Sequence, residues 1–294
     1  MAIGGLLIYQ RGSSNAGGTP SFDGPAFKLG ITKYQPKELV EKAMLPLTNY
    51  LSTSLEQNVE LVVVDDYSNL ADKLVRGEIH MAALSSSSYV RAHERNPELA
   101  PLAMPVRKGG NTNYEGYILV RKASDIHTIE DLRGKVFCYV NPTSTSGYLY
   151  PRAVIREAGL DPDRDFSATR FGGDHLQTLK ALHKGACDGA ATYATNWHEG
   201  GKHDMPPQDF RPIATTDRIP DDAYVLAPSV DAKKSAMVEK ALIELEPGSK
   251  LANEVLVEPA KDSSQDIVGF LAASDKDYES VREYLRQEAR TKEQ

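Results

Sequence analysis

The sequence predicts an α/β protein of two lobes with a ligand crevice between them. Three observations carry this expectation. Strand-like and helix-like segments alternate along most of the chain, and such alternation implies right-handed crossovers and parallel sheets. Two series of this kind follow one another, and 294 residues suit about two domains. Polar or aromatic clusters stand at four strand ends, at residues 65–67, 85–89, 141–147 and 193–197, and ligands of open α/β sheets gather at the carboxyl ends of strands.

Residues 1–26 differ from the rest. Residues 2–9 are apolar but too short to span a bilayer, and no basic region precedes them. Residues 11–20, rich in Gly and Ser, read as a flexible linker. The stretch has the character of the end of a signal or anchor segment, or of a tail without consequence.

The first series starts with a strand at 27–32. A helix at 37–55 carries Leu39, Val40, Ala43, Met44, Leu47, Leu51 and Leu55 near the 3.6-residue period, and Pro46 is expected to bend it. Residues 59–64 form a β-branched run that reads as a buried strand. A short helix at 68–76 stops at Gly77. A strand at 79–84 leads into Ser85, Ser86, Ser87, Ser88 and Tyr89.

In the second series a strand at 117–121 precedes a short helix at 128–132, with its Thr-x-x-Asp start, and a strand at 136–140. After the turn at 141–147 comes a helix at 148–158, with Pro151 just past its first turn and Gly159 as its stop. Asp174 caps a helix running to Lys184, with Leu176, Leu179 and Leu182 inward. A strand at 187–192 and helices at 231–245 and 277–288 complete the pattern. Lobe one then comprises residues 27–116 and 223–294, and lobe two residues 117–222.

The turn Asn-Pro-Thr-Ser-Thr-Ser-Gly at 141–147 is the most informative stretch. Amides at the first turn of a helix lack partners and carry partial positive charge. Hydroxyls add neutral donors, so the turn suits a tetrahedral oxyanion. A single Ser or Thr there is ordinarily a cap; the run Thr143, Ser144, Thr145, Ser146 exceeds that need. The turn holds neither Lys nor Arg, which favours reversible capture over phosphoryl transfer.

A net charge of −7 argues against a nucleic-acid groove, though not against a small anionic ligand. The two cysteines, Cys138 and Cys187, fall in expected buried strands and read as small core hydrophobes; no disulfide framework is indicated. Neither a nucleotide P-loop nor a Gly-x-Ser-x-Gly elbow occurs. The segment from His198 to His203 resembles a zinc-protease motif, but it is one residue too long and its glycines spoil the helix. Residues 161–165 alternate acids like a calcium loop, without its Gly and Glu. No cofactor, metal or catalytic residue is expected.

The order of motifs resembles the phosphate/phosphite/phosphonate-binding proteins of ABC importers, the PhnD-like group with the type II periplasmic-binding fold. The matching strings are Asp-Tyr-Ser-Asn-Leu at 66–70, Ser88-Tyr89, Pro-Val-Arg at 105–107 and Tyr-Ile-Leu-Val-Arg at 117–121. The most specific is Pro-Thr-Ser-Thr-Ser-Gly-Tyr-Leu-Tyr-Pro-Arg at 142–152, followed by Gly-Gly-Asp-His at 172–175 and Ile-Pro-Asp-Asp at 219–222. The resemblance covers residues 27–229 well and the C-terminal helices loosely.

It implies a ligand held by the turn of Ser144, Thr145, Ser146 and Gly147, its hydroxyls donating to the ligand's oxygens. Tyr67, Ser88 and Tyr89 would approach from the opposite lobe, and His175 would add a donor. Asp222 would face the ligand and accept the proton of a monoprotonated oxyanion, whose second pKa is about 6 for a phosphate monoester. Two departures stand out. Ser85-Ser86 replaces the family's common Gly-Pro, and residues 195–197 offer no carboxylate for an amine, which favours a ligand without one. The resemblance further implies a monomeric periplasmic or extracytoplasmic protein that closes by hinge motion and docks on a membrane permease. Two other readings stay open: a sensor domain tethered through a preceding membrane segment, and an enzyme on the same fold.

Overall fold

The structure, a computed structural model, describes residues 20–257 and 267–292; the apolar start and nearly all of the Gly/Ser stretch lie outside the described residues. The chain builds β1 (Phe27–Thr32), α1 (Lys37–Leu55), β2 (Val59–Val64), α2 (Tyr67–Val75), β3 (Met81–Leu84), α3 (Ser86–Arg95) and β4 (Pro101–Arg107) in turn. It crosses to a second sheet through β5 (Asn113–Tyr114). There it forms β6 (Gly116–Arg121), β7 (Val136–Tyr139), α4 (Tyr150–Glu157), β8 (Ala168–Phe171), α5 (His175–His183), β9 (Gly189–Tyr193), α6 (Ala194–His198) and β10 (Phe210–Thr215). It returns through β11 (Ile219–Pro220), antiparallel to β5. The chain ends in β12 (Ala223–Leu226), α7 (Ala232–Glu244), α8 (Lys250–Ala252), β13 (Ile267–Ala272) and α9 (Glu279–Lys292).

The strand orders are β13-β4-β12-β3-β1-β2 and β10-β6-β9-β7-β8. Pairing is parallel where a helix connects the strands, as in β1–β2, β1–β3, β7–β8 and β7–β9. It is antiparallel around β6, β10, β12 and β13, so both sheets are mixed rather than wholly parallel. Strand β12, for example, enters straight from the crossover, without a helix to enforce a parallel return. Strand β2 is an edge strand, and only Val64 of it is buried.

Lobe one packs both faces of its sheet. Leu29, Met44, Leu51, Val238 and Leu242 form the core under α1 and α7. Leu70, Leu74, Leu84, Tyr89 and Val90 form the other, together with Tyr278, Val281 and Leu285 from the C-terminus. Helix α9 reaches lobe two as well: Glu288 pairs with Arg152 and Arg156 of α4, and the Tyr284 ring stacks on Tyr150 at 3.9 Å.

Two local expectations are corrected. Cys138 and Cys187 are joined in a disulfide, with Cα atoms 5.8 Å apart, inside the lobe-two core of Leu119, Leu179 and Leu182. The parallel pairing of β7 with β9 sets Cys138 opposite Ala190, and Cys187 lies just before β9. That register brings the sulfurs together, and sequence spacing does not reveal it. The helix expected from 148 begins instead with a π-helical turn over Thr145–Leu149 and runs on as α4, so Pro151 falls within the first two positions of α4 and breaks no bond. Among the described residues, no helix is long and apolar enough to cross a membrane.

Candidate ligand-binding site

A cleft of about 90 Å³ opens between the lobes. Lobe one lines it with Thr32, Tyr34, Tyr67 and Ser85, the crossover with Tyr114, Asp221 and Asp222, and lobe two with Ser144, Thr145, Ser146, His175 and Tyr193.

The hydroxyl turn is held by its own backbone. Ser144 Oγ accepts the Gly147 amide at 3.1 Å, and the Leu149 amide donates to the Ser144 carbonyl at 3.1 Å, closing the π-helical turn. Such turns recur at functional sites. Gly147 is required for space: a Cβ there would lie 2.4 Å from Val140. Its carbonyl accepts the Val140 amide at 3.1 Å, so Gly147 seats the turn on β7 and is not among the residues lining the cleft.

Thr145 reaches across to lobe one. Its Oγ1 accepts the Ser87 amide at 3.0 Å and donates to Ser87 Oγ at 2.9 Å; Ser87 Oγ in turn donates to the Thr143 carbonyl at 2.9 Å. Ser144 and Ser146 meet tyrosines instead. The Tyr67 hydroxyl is hydrogen-bonded to Ser144, and Tyr114 Oη lies 3.5 Å from Ser146 Oγ. Burial raises the pKa of both tyrosines, so each stays a neutral donor.

His175 opens α5 behind the Asp174 cap, whose side chain accepts the Gln177 amide at 2.8 Å. The His175 amide donates to the Tyr34 carbonyl across the cleft at 3.1 Å. Its Nδ1 lies 3.2 Å from Thr192 Oγ1, and its ring meets Tyr193 edge-on at 4.7 Å. Burial holds this imidazole down to about 3, so it is neutral at pH 7.

Asp221 and Asp222 leave the crossover together and differ sharply. Asp221 is fully buried and holds Arg107 through both carboxylate oxygens, with Nη2 to Oδ1 at 3.0 Å. The Asp222 amide donates to Asp221 Oδ1 at 2.9 Å. Burial first, and then the neighbouring Asp221 charge, push the Asp222 carboxyl up to about 7, with Arg107 opposing. Asp222 therefore exchanges its proton near neutral pH.

The structure brings Tyr67, Ser144, Thr145, Ser146, His175 and Asp222 to one cleft. Ser88 and Tyr89 point elsewhere. Helix α3 starts at Ser86 and turns the following residues into lobe one. Tyr89 is fully buried and donates to Asp275 at 2.8 Å, and Ser88 Oγ accepts from Ser85 Oγ at 2.9 Å. Ser85, just before the helix, takes the place at the cleft. Sequence reasoning missed Thr32, Tyr114 and the Arg107–Asp221 pair. Thr32 closes a strand, as the other polar clusters do, and was legible; the ion pair, 114 residues apart, was not.

Comparison with known proteins identifies the family and the fold. Residues 29–278 match the family described as "ABC transporter, phosphonate, periplasmic substrate-binding protein". The chain belongs to this family. It is 27% identical over 254 residues to the phosphate-import protein PhnD of Mycolicibacterium smegmatis, covering 81% of this chain and 78% of that one. A binding-protein component of an ABC phosphonate transporter from Pseudomonas aeruginosa superposes with a TM-score of 0.82 at 18% identity, over 92% of this chain and 88% of the other. PhnD1 of Prochlorococcus marinus, solved with methylphosphonate, gives 0.78 at 18% identity, over 89% and 97%. The architecture is the type II periplasmic-binding fold, and members of the family are transport components that work with ABC permeases.

Proposed function

We propose that this substrate-binding protein captures a small, monoprotonated phosphorus oxyanion between its lobes and delivers it unchanged to a membrane permease. One observation carries the reading: the buried, proton-exchanging Asp222 shares a cleft with neutral donors from Tyr67, Tyr114, Ser144 and Ser146. Among the described residues lining that cleft, Arg107 is the single Lys or Arg, and Asp221 holds it. Hydroxyls and helix-start amides stabilise an anion without neutralising it. A carboxyl beside an anion repels it unless one proton lies between them, and a P–O–H group or protonated Asp222 supplies that proton.

The ligand's two sides are met by different lobes, so binding draws the lobes together about the β5–β11 crossover. The protein acts as an extracytoplasmic monomer, without a nucleic-acid partner, and we assign it no catalytic residue. The relatives' printed names, phosphate import and a methylphosphonate complex, agree with this ligand class.

Calorimetry with phosphate, phosphite, methylphosphonate and sulfate from pH 6 to 9 tests the reading. Phosphorus oxyanions should bind tightly near pH 7, and affinity should fall by up to about tenfold per unit once both partners are deprotonated. Asp222→Asn, which needs no shared proton, should flatten that fall. Sulfate binding as tight as phosphate at pH 8.5, or no binding of any phosphorus oxyanion, would overturn it.

A further inference from the structure

Helix α3 opens without a cap of its own. Ser85 stands at the capping position, yet its side chain accepts no backbone amide and donates to Ser88 Oγ instead. The first amides of a helix need partners from outside it. The Ser87 amide finds one in the other lobe, at Thr145 Oγ1, 3.0 Å away. A hydroxyl has one hydrogen and two lone pairs, and Thr145 turns all three to lobe one. It donates to Ser87 Oγ at 2.9 Å and accepts from the Ser87 amide and, at 3.3 Å, from Ser86 Oγ. Ser86, Ser87 and Thr145 are all buried. While these contacts stand, the Thr145 hydroxyl has no capacity left for a ligand.

The turn divides its residues by parity. Asn141 and Thr143 grip lobe one as Thr145 does: Asn141 is hydrogen-bonded to Asp66, the cap of α2, and the Thr143 carbonyl accepts Ser87 Oγ at 2.9 Å. Ser144 and Ser146 face the cleft, where they meet Tyr67 and Tyr114.

We infer that Ser87, helped by Ser86, is a positioning residue that clasps Thr145 across the lobes, so that releasing a ligand requires α3 to give up a cap supplied by lobe two. The lifetime of the closed complex is then set by this clasp as well as by the ligand's own contacts. Neither serine is among the residues lining the cleft. Every partner in the clasp is a protein atom, so it forms without a ligand. The inference goes beyond the oxyanion reading and takes from it only the probe.

Stopped-flow release of methylphosphonate from the full chain, in a double-mutant cycle of Ser87→Ala and Thr145→Val, is the test. Ser87→Ala should speed release about fivefold, the worth of one neutral hydrogen bond. Thr145→Val should speed it about tenfold or more, because α3 also loses its cap. The double variant should release no faster than Thr145→Val alone, since both changes remove one clasp. Thr145→Ser keeps the hydroxyl and should stay within about threefold of the wild type. Should Thr145→Val fail to fold, Ser86→Ala combined with Ser87→Ala removes the same hydroxyls from lobe one and should speed release at least about fivefold. Unchanged release from the serine variants, or effects that multiply independently in the cycle, overturns the inference and leaves the oxyanion reading intact. If no phosphorus oxyanion binds, that reading fails, and hydrogen exchange of the Ser87 amide reads the clasp without a ligand. Thr145→Val should speed that exchange at least about tenfold; equal exchange in the two proteins overturns the inference.

Discussion

The guanidinium of Arg107 holds both carboxylate oxygens of Asp221, and the amide of Asp222 donates to one of those same oxygens at 2.9 Å. Two adjacent acids thereby take different states. Asp221 is an ion-paired anchor, while Asp222, deprived of a direct cation, turns to a proton. The pair also braces the crossover, because Arg107 ends β4 and lies over the Tyr114 ring at 5.4 Å.

Removing one side of this pair should be costly. Arg107→Met leaves a buried carboxylate without compensation, and about 3–5 kcal/mol of stability should be lost. Asp221→Asn should cost less, because Arg107 retains 20% side-chain exposure and can turn toward water. Urea unfolding of the two variants compares them directly. Equal losses would show that Asp221 gains nothing particular from the guanidinium.

Two buried titrating groups should give opposite pH slopes. The Asp222 carboxyl is raised from 3.8 to about 7 in the folded protein. Between those values the native state keeps a proton that the unfolded chain has released, so stability falls as pH rises and the penalty is complete above 7. Asp222→Asn should stabilise the protein by about 2–4 kcal/mol at pH 8 and hardly at all at pH 4. His175 is lowered from 6.5 to about 3. Its contribution is present above 6.5 and is lost as pH falls toward 3, so His175→Gln should blunt the response to acid. Chemical denaturation at pH 4, 6 and 8 reads both; a gain from Asp222→Asn that is the same at pH 4 and pH 8 would refute the assignment.

The two serines of the turn should separate binding from stability. Ser146 touches Tyr114 and caps nothing, so Ser146→Ala should weaken phosphate or methylphosphonate binding by about 1.5–3 kcal/mol at little structural cost. Ser144 Oγ also caps the Gly147 amide, so Ser144→Ala should lose about 1 kcal/mol of stability in addition. Calorimetry and thermal melts on each variant check this. Unchanged affinity in both would remove the turn from the site.

The disulfide closes a separation of 49 residues within lobe two. Loop entropy alone assigns a bridge of that span about 4 kcal/mol. A protein lacking both sulfurs, Cys138→Ala with Cys187→Ala, should therefore melt several degrees lower. Treatment with dithiothreitol under partly denaturing conditions should reproduce the shift. An identical melting temperature would mean that the bridge contributes nothing to the fold.

Local signals were legible where local physics decides them. The 3.6-residue period placed α1 over Lys37–Leu55, a β-branched run placed β2 over Val59–Val64, and Asp174 was marked as the cap of α5. The crowding of Thr143, Ser144, Thr145 and Ser146 between a strand and a helix marked the turn, because unpaired amides and hydroxyls require only neighbouring residues to form a donor cluster. Only tertiary structure decided the rest. Tyr89 stands in the same serine-rich string as Ser85, yet one turn of α3 carries it to Asp275 and away from the cleft. Thr145 is committed to Ser87 by the approach of the two lobes, and Cys138 to Cys187 by the register of β7 on β9. Asp222 owes its proton to burial and to Asp221, and Asp221 owes its charge partner to a strand 114 residues away. Sequence period fixes which face of an element is apolar; which groups meet across elements depends on register, crossing and burial, and these arise only when the sheets and lobes close on one another.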